Sequence, residues 1–127
     1  MTETGKLILV PTPIGNMEDI TYRAVRMLNE SDLILAEDTR KTGLLLKKLD
    51  IRAKLQSYHA FNEHKVVSQI VTKVRQGLNI AMVTDAGTPA ISDPGYLIVK
   101  TCIDNDIFVE CLPGPTALIP ALAASGI

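Results

Sequence analysis

Residues 84–95 (TDAGTPAISDPG) are the segment of this chain whose residue types could do the most chemistry. They follow the apolar run 80–83 and combine hydroxyls and carboxylates with two prolines and two glycines. Glycine lets a ligand approach the backbone closely, whereas proline fixes φ and removes an amide donor. A plain connector needs no such composition, but a loop that wraps a small polar ligand at the end of a strand does.

Three further loops have the same character, and each of them also follows an apolar run. Backbone amides, hydroxyls and small side chains in these loops suit a ligand that is recognised by shape, such as a nucleoside with an amino-acid tail. The alternative is a set of tight turns with no ligand. Neither the G-x-G-x-x-G fingerprint nor a P-loop occurs in the chain, which disfavours a standard dinucleotide site. The three loops are residues 11–16 (PTPIGN), 37–40 (EDTR) and 113–116 (PGPT).

Titratable side chains lie beside these loops. Asp38 directly follows an apolar run, so it could hold a substrate or ribose hydroxyl, or equally act as the N-cap of the next helix. His59 could point into a cleft at the strand ends, or it could serve only at the entry of a helix. His59 and His64, with Glu63 between them, lack the spacing of a metal site, so no metal is predicted.

Apolar runs alternate with segments of helical period, and this alternation predicts the fold. Nearly continuous apolar strands are typical of a parallel sheet that is buried on both sides. We therefore predict an α/β fold with a five-stranded, mainly parallel sheet and helices on both faces. In such a sheet, ligands bind beyond the carboxyl ends of the strands, where the four unusual loops lie. The predicted strands are residues 7–10, 33–36, 54–58, 79–83 and 107–111.

Helix ends are predicted from capping residues. The first helix has Asp19 or Thr21 as its N-cap, and the second has Asp38 or Thr39. The third begins at Asn62 and closes at Gly77, which suits a C-terminal cap. The fourth covers residues 95–105, and the last begins at residue 116.

Composition indicates one domain of ordinary size. The chain has 127 residues, 46% hydrophobic residues, 4% aromatic residues and a formal net charge of −1, so the core must be aliphatic. This charge carries no electrostatic signature of nucleic-acid or membrane binding. No signal peptide or membrane span is apparent, and Cys102 and Cys111 resemble core thiols of a cytosolic protein. The apolar segment 116–126 lacks a covering layer, so we expect the chain to be the N-terminal part of a longer protein.

Taken together, the four loops resemble those of the tetrapyrrole methylase superfamily, the class III S-adenosylmethionine-dependent methyltransferases. They are most similar to its small-subunit ribosomal RNA (cytidine-2′-O)-methyltransferase branch. Two features favour that RNA branch. The first loop contains prolines, and Gly87-Thr88-Pro89 stands where tetrapyrrole-modifying members carry Gly-Asp-Pro. The segments that carry the resemblance are residues 9–16 (LVPTPIGN), 19–21 (DIT), 36–40 (AEDTR), 84–95 and 112–117 (LPGPTA).

The resemblance implies that residues 1–127 are the N-terminal α/β domain of a two-domain methyltransferase whose C-terminal domain is absent. It implies S-adenosyl-L-methionine as the cofactor, a homodimer, a cytoplasmic location, and 2′-O-methylation of a cytidine in the small ribosomal subunit without membrane association. The fragment alone is expected to be inactive. The alternatives are a tetrapyrrole or small-molecule methylase of the same fold, and a non-catalytic cofactor-binding module.

The resemblance also implies the residues of the site. Ile14 would pack against the cofactor, the stretch around Thr88 and Ile91 would hold its methionine and ribose portions, and Thr116 and Ala117 would contact it at a helix start. The general base that deprotonates the 2′-hydroxyl stays open between Asp38, His59 and Glu63. RNA binding would need basic residues on the absent half or a basic face formed by Arg23, Arg26, Arg40, Lys41, Lys47 and Lys48. The full set of implied cofactor contacts is Pro13, Ile14, Gly15, Asp85, Thr88, Ile91, Ser92, Thr116 and Ala117.

Overall fold

Five parallel strands form a single sheet in the computed structural model, which describes residues 4–59, 62–91 and 95–127. The strands pair in the order β3-β2-β4-β1-β5, and every pairing is parallel. The predicted five-stranded α/β fold is therefore confirmed, with a sheet that is parallel throughout. The strands are β1 (Leu7–Leu9), β2 (Leu33–Ala36), β3 (Leu55–Ser57), β4 (Ile80–Val83) and β5 (Val109–Cys111).

Helices cover both faces of this sheet, as predicted. Side chains of α1 and α2 pack with Ile8, Ile34 and Ala81 on one face. Side chains of α3 and α4 pack with Leu7 and Leu35 on the other. Within the described ranges, no helix has the length and apolar character needed to cross a membrane. The helices are α1 (Tyr22–Glu30), α2 (Thr39–Lys48), α3 (Glu63–Arg75), α4 (Tyr96–Asp104) and α5 (Leu118–Ala124), and a 3₁₀ turn precedes α1 (Met17–Asp19).

The N-terminal caps select between the alternatives that the sequence left open. The Thr21 hydroxyl accepts a hydrogen bond from the Ala24 amide at 2.9 Å, so Thr21 caps α1. The Asp38 carboxylate caps α2. Asn62 holds the N-cap position of α3 but makes no capping bond with its side chain. Its Oδ1 instead accepts from the His59 amide at 2.7 Å, which ties α3 to the end of β3.

Several boundaries differ from the prediction by one or two residues, and three of the differences have a clear physical reason. The strand β5 begins at Val109 rather than residue 107, because the Ile107 amide donates to the Cys102 carbonyl at the end of α4. Gly77 lies one residue beyond the α3 cap, Gln76, and adopts a φ of 99°. The helix α5 starts at Leu118 and tolerates Pro120, because an amide in the first turn has no intrahelical partner.

Candidate functional site

The loop after β1 (residues 11–16, the β1 loop) and the loop after β4 (residues 84–95, the β4 loop) are joined by hydrogen bonds. The Thr12 amide donates to the Gly87 carbonyl at 3.0 Å, and the Gly87 amide donates back to the Thr12 carbonyl at 2.9 Å. The Thr12 hydroxyl also donates to the Thr84 carbonyl at 3.3 Å. These bonds hold the two loops together above the centre of the sheet, as expected for the carboxyl ends of neighbouring parallel strands.

The loop after β5 (residues 112–117, the β5 loop) packs against both of them. The Thr88 hydroxyl donates to the Pro115 carbonyl at 3.3 Å. A Cβ atom on Gly114 would lie 2.7 Å from Pro11 Cβ, so only glycine permits this approach of the β5 loop to the β1 loop. Three of the four unusual loops thus form one continuous surface.

A cavity of about 460 Å³ opens on this surface beside Ile14, and we call it the Ile14 cavity. Ile14, Thr116 and Ala117, three of the implied cofactor contacts, line it. Ile14 is 40% exposed, and it also meets Gly87, where an added Cβ would lie 3.4 Å from Ile14 Cδ1. The other lining residues are Asp19, Gly114, Pro115 and Pro120.

Three other implied cofactor contacts, Pro13, Gly15 and Asp85, line a different cleft. This α2 cleft encloses about 200 Å³ between the β1 loop, the β4 loop and α2. Thr88 touches the Ile14 cavity only through its hydrogen bond to Pro115, and Ile91 is 74% exposed. The implied set is therefore divided between the two sides of the β1 loop. Ser92 lies outside the described residues. The other residues of the α2 cleft are Thr12, Met17, Lys41, Thr42, Leu45, Lys48 and Thr84.

The three candidate bases lie near the ends of β2 and β3. Asp38 and Glu63 accept hydrogen bonds with their side chains, and His59 donates one with its backbone amide. The Asp38 Oδ1 atom accepts from the Arg40 amide at 2.9 Å, as a helix cap. Glu63 is buried, and its Oε1 atom accepts from the Gly95 amide at 3.0 Å. His59 is half-buried at the end of β3, where its backbone amide bonds to Asn62. Because β4 lies between β2 and β1, the carboxyl ends of β2 and β1 are about 10 Å apart across the sheet, at about 4.8 Å per strand.

Glu37 is a residue of this region that the sequence did not single out. Its Oε2 atom accepts from the Thr84 hydroxyl at 2.8 Å, which links the end of β2 to the β4 loop. Glu37 belongs to one of the unusual loops. Its contact with Thr84 becomes evident only when the order of the strands is known, because β2 and β4 are neighbours in the sheet. No group of three or more His, Cys, Asp or Glu side chains suited to a metal ion occurs in the described ranges.

Tyr58 lies beneath this part of the site, and the negative charge there affects its pKa. Its side chain is fully buried, and its hydroxyl donates to the Val83 carbonyl at 2.8 Å. Burial raises the pKa of Tyr58 strongly, and the nearby carboxylates of Glu37, Asp85 and Glu63 raise it further. The carboxylates of Glu37, Asp85 and Glu63, at the ends of β2, β4 and β3, are therefore all near enough to Tyr58 to act on its hydroxyl.

A model of the tetrapyrrole (corrin/porphyrin) methylases matches residues 6–127 of the chain. The chain belongs to the tetrapyrrole methylase family. Among its relatives, the ribosomal RNA small subunit methyltransferase I of Escherichia coli O157:H7 is 53% identical over 97% of this chain and 43% of the relative. The protein of the same name from Thermotoga maritima is 52% identical over 96% of this chain and 55% of the relative. This tetrapyrrole methylase chain thus spans about half the length of the curated relatives that it matches, or less.

Solved structures of tetrapyrrole methylases share the fold. The uroporphyrin-III-C-methyltransferase of Thermus thermophilus superposes with a TM-score of 0.70 at 24% identity, over 97% of this chain and 52% of that one. A structure of that enzyme described as complexed with S-adenosyl homocysteine superposes with a TM-score of 0.66 at 23% identity, again over 97% and 52%. At this identity, the similarity establishes the fold of the chain and nothing finer.

Proposed function

We propose that residues 1–127 form the N-terminal, cofactor-binding domain of an S-adenosylmethionine-dependent methyltransferase that methylates a cytidine 2′-oxygen in small-subunit ribosomal RNA. The observation that carries this proposal is identity above 50% over nearly the whole chain to relatives named ribosomal RNA small subunit methyltransferase I. The loop surface at the carboxyl ends of the strands agrees with it, because this is where ligands of parallel α/β sheets bind.

The residues of the Ile14 cavity fit the proposed cofactor. Its volume of about 460 Å³ lies within the range of small-molecule sites. Ile14 and the prolines offer apolar surface for the adenosine and thioether portions, and the Thr116 hydroxyl and Asp19 carboxylate offer polar groups. Thr88 would fix the β5 loop through Pro115, rather than touch the cofactor from within the cavity.

In the proposed chemistry, the protein has two tasks: it positions the reactants, and it removes the proton of the 2′-hydroxyl. When bound, the cofactor supplies a methyl group on a positively charged sulfur, which is already a strong donor. The chain's own groups orient the 2′-hydroxyl and accept its proton, and holding the reactants in line can supply much of the rate. Asp38 is the base that we propose first, because its two amide partners, on Arg40 and Lys41, fix the carboxylate at the end of β2. Glu63 has one oxygen bonded to Gly95 in a buried setting, and His59 is half-buried.

A methyl-transfer assay tests the proposed function. The protein, extended to the length of its relatives, is incubated with isotopically labelled S-adenosylmethionine and small ribosomal subunits that lack 2′-O-methylcytidine. We expect label at the 2′-oxygen of a cytidine. Transfer to a uroporphyrin-type substrate instead would favour the tetrapyrrole alternative. Binding of the cofactor product with no transfer to either acceptor would point to a non-catalytic module.

We also propose, from the resemblance alone, a cytoplasmic homodimer that acts on the small ribosomal subunit. Sedimentation equilibrium of the extended protein tests the homodimer directly. A monomer at micromolar concentration would remove the dimer from the proposal without touching the chemistry.

A further inference from the structure

Positive charge is concentrated in one stretch of this nearly neutral chain. Six of the thirteen lysines and arginines lie between residues 40 and 54, together with one acidic residue, Asp50. The formal net charge of the whole chain is −1, so the remainder is distinctly acidic. The helix α2 carries four of these six basic residues and no acidic residue. A surface with this charge attracts a polyanion and is screened by salt.

Two of these lysines line the α2 cleft. Lys41 and Lys48 are seven residues apart on α2, so they share one side of the helix with about 10 Å between them along its axis. Thr42 and Leu45 lie between them on the same side. Both lysines are exposed, so their ammonium groups are accessible to a ligand.

The ion pair at the mouth of the cleft is weak enough to be replaced. Lys41 Nζ lies 3.7 Å from Asp85 Oδ2, and the two side chains are 66% and 38% exposed. Exposed pairs of this kind contribute at most about 1 kcal/mol. A phosphate oxygen can therefore replace the Asp85 carboxylate as the partner of the Lys41 ammonium group at little cost in free energy.

Four basic residues outside α2 have polar partners of their own. Arg23 and Lys6 both pair with Glu110 on β5, at 3.0 and 3.2 Å. Lys100 pairs with Asp104, and Arg75 bonds to the Asn105 side chain. Lys41 and Lys48 differ from these four because they line a cleft beside the β1 and β4 loops.

We propose that the α2 cleft binds the sugar–phosphate backbone of a single-stranded segment of the RNA acceptor, with Lys41 and Lys48 neutralising its phosphates. This inference rests on the proposed function. Pro13 and Gly15 of the β1 loop line the cleft and Ile14 lines the cavity, so a strand in the cleft is one loop away from the proposed cofactor. A positively charged groove that follows the backbone is how proteins hold single strands. The groove also accounts for RNA binding by a chain whose overall charge does not favour it.

The test is RNA binding by a double variant, Lys41→Gln/Lys48→Gln, in the protein extended to the length of its relatives. The probe is a fluorescently labelled, single-stranded small-subunit RNA oligonucleotide, titrated by anisotropy at several salt concentrations. The matched control is Lys65→Gln/Lys73→Gln, which removes the same charge from α3 on the opposite face of the sheet. Thermal unfolding verifies that both variants fold.

Loss of two phosphate contacts should lower the slope of log K against log salt by about 1.4, at about 0.7 per contact for a single strand. We expect about a tenfold loss of RNA affinity at low salt in the double variant and less than about a twofold loss in the control. The affinity for S-adenosylhomocysteine should stay unchanged, because the cleft lies outside the Ile14 cavity.

Each other outcome has a distinct meaning. Equal losses of RNA affinity in the two variants would overturn the inference and leave the proposed function intact. A parallel loss of S-adenosylhomocysteine affinity in the double variant would assign the cleft to the cofactor and overturn it as well. If the unsubstituted protein neither binds the RNA nor methylates ribosomal subunits, the proposed function itself fails.

Discussion

Tyr58 stabilises the region at the ends of β3 and β4. Its hydroxyl donates to the Val83 carbonyl in a fully buried setting. Tyr58→Phe keeps the ring but leaves that carbonyl without this donor, so we expect a loss of about 1–3 kcal/mol in the free energy of unfolding. Urea denaturation measures it. Tyr22→Phe is the matched control, because Tyr22 is 97% exposed and should change nothing. Equal stability of the two variants would contradict this account of Tyr58.

Asp38 combines a structural bond with a proposed chemical role, and two substitutions separate them. Asp38→Asn keeps an oxygen that can cap α2 but removes the charge, whereas Asp38→Ala removes both. We expect Asp38→Ala to cost about 1 kcal/mol of stability and Asp38→Asn much less. If Asp38 is the base, both variants lose at least about a hundredfold in single-turnover methyl transfer while S-adenosylhomocysteine affinity holds. Unchanged transfer in the asparagine variant would remove Asp38 from the mechanism.

At the residue scale, the sequence predicts what depends on near neighbours. Residue type and the start of helical periodicity reduced each cap to two candidates, Asp19 or Thr21 for α1 and Asp38 or Thr39 for α2, and the structure selects Thr21 and Asp38. The Thr84–Glu37 and Thr88–Pro115 hydrogen bonds join segments far apart in the chain, and no local pattern encodes them. They depend on which strands are neighbours in the sheet.

The elements follow from the sequence more closely than the contacts between them. Four of the five predicted strands coincide with apolar runs, and β2 matches residue for residue. The start of β5 was predicted less accurately, because Ile107 is as apolar as a strand residue but its amide donates to the Cys102 carbonyl at the end of α4. Apolar character alone cannot distinguish a buried helix end from a strand.

Two glycines test how the elements depend on backbone conformation. Gly87 has a φ of 81° in the β4 loop, where an alanine costs about 1–2 kcal/mol. Its added Cβ would also contact Ile14 Cδ1 at 3.4 Å, so a strained loop shifts the wall of the Ile14 cavity, and Gly87→Ala should lower both stability and S-adenosylhomocysteine affinity.

Gly43 provides the control for that substitution. It lies inside α2, and its added Cβ would meet Leu55 Cδ1 at an ordinary 3.8 Å. Gly43→Ala should therefore raise stability by about 0.5–1 kcal/mol. Thermal unfolding and calorimetric titration of the two variants check both expectations. Stabilisation by Gly87→Ala would show that the backbone bridge to Thr12 does not depend on this conformation.

At the scale of the whole molecule, the order β3-β2-β4-β1-β5 decides which predicted site residues meet. It places the β1 loop between the Ile14 cavity and the α2 cleft, and so divides a set of residues that the resemblance treated as one. The apolar strands predict parallel pairing but not the order in which they pair. The strands β1, β2 and β4 are buried on both sides, so the residue pattern of each does not indicate which strand lies next to it.

The Ile14 cavity has one wall that is unusually exposed, and this leads to a prediction about the whole protein. No residue of α5 is buried, and Leu118, Ile119 and Leu122 are 69%, 59% and 53% exposed. A ligand in a cavity that α5 leaves open keeps much of its apolar surface in water. We therefore expect calorimetry to give S-adenosylhomocysteine at least about tenfold weaker binding to this chain than to a version extended to the length of its relatives, or about 1.4 kcal/mol.

Substitutions in the extended version locate the bound ligand. Ile14→Ala should weaken S-adenosylhomocysteine by about tenfold, because it removes apolar surface from the cavity wall. Leu44→Ala, which shortens another exposed aliphatic side chain but on α2, should leave the affinity unchanged. Equal affinity in the short and extended forms would mean that residues 1–127 already enclose the ligand. Binding in neither form would contradict the methyltransferase proposal itself, because every step proposed for Asp38 and the α2 cleft presupposes a cofactor beside Ile14.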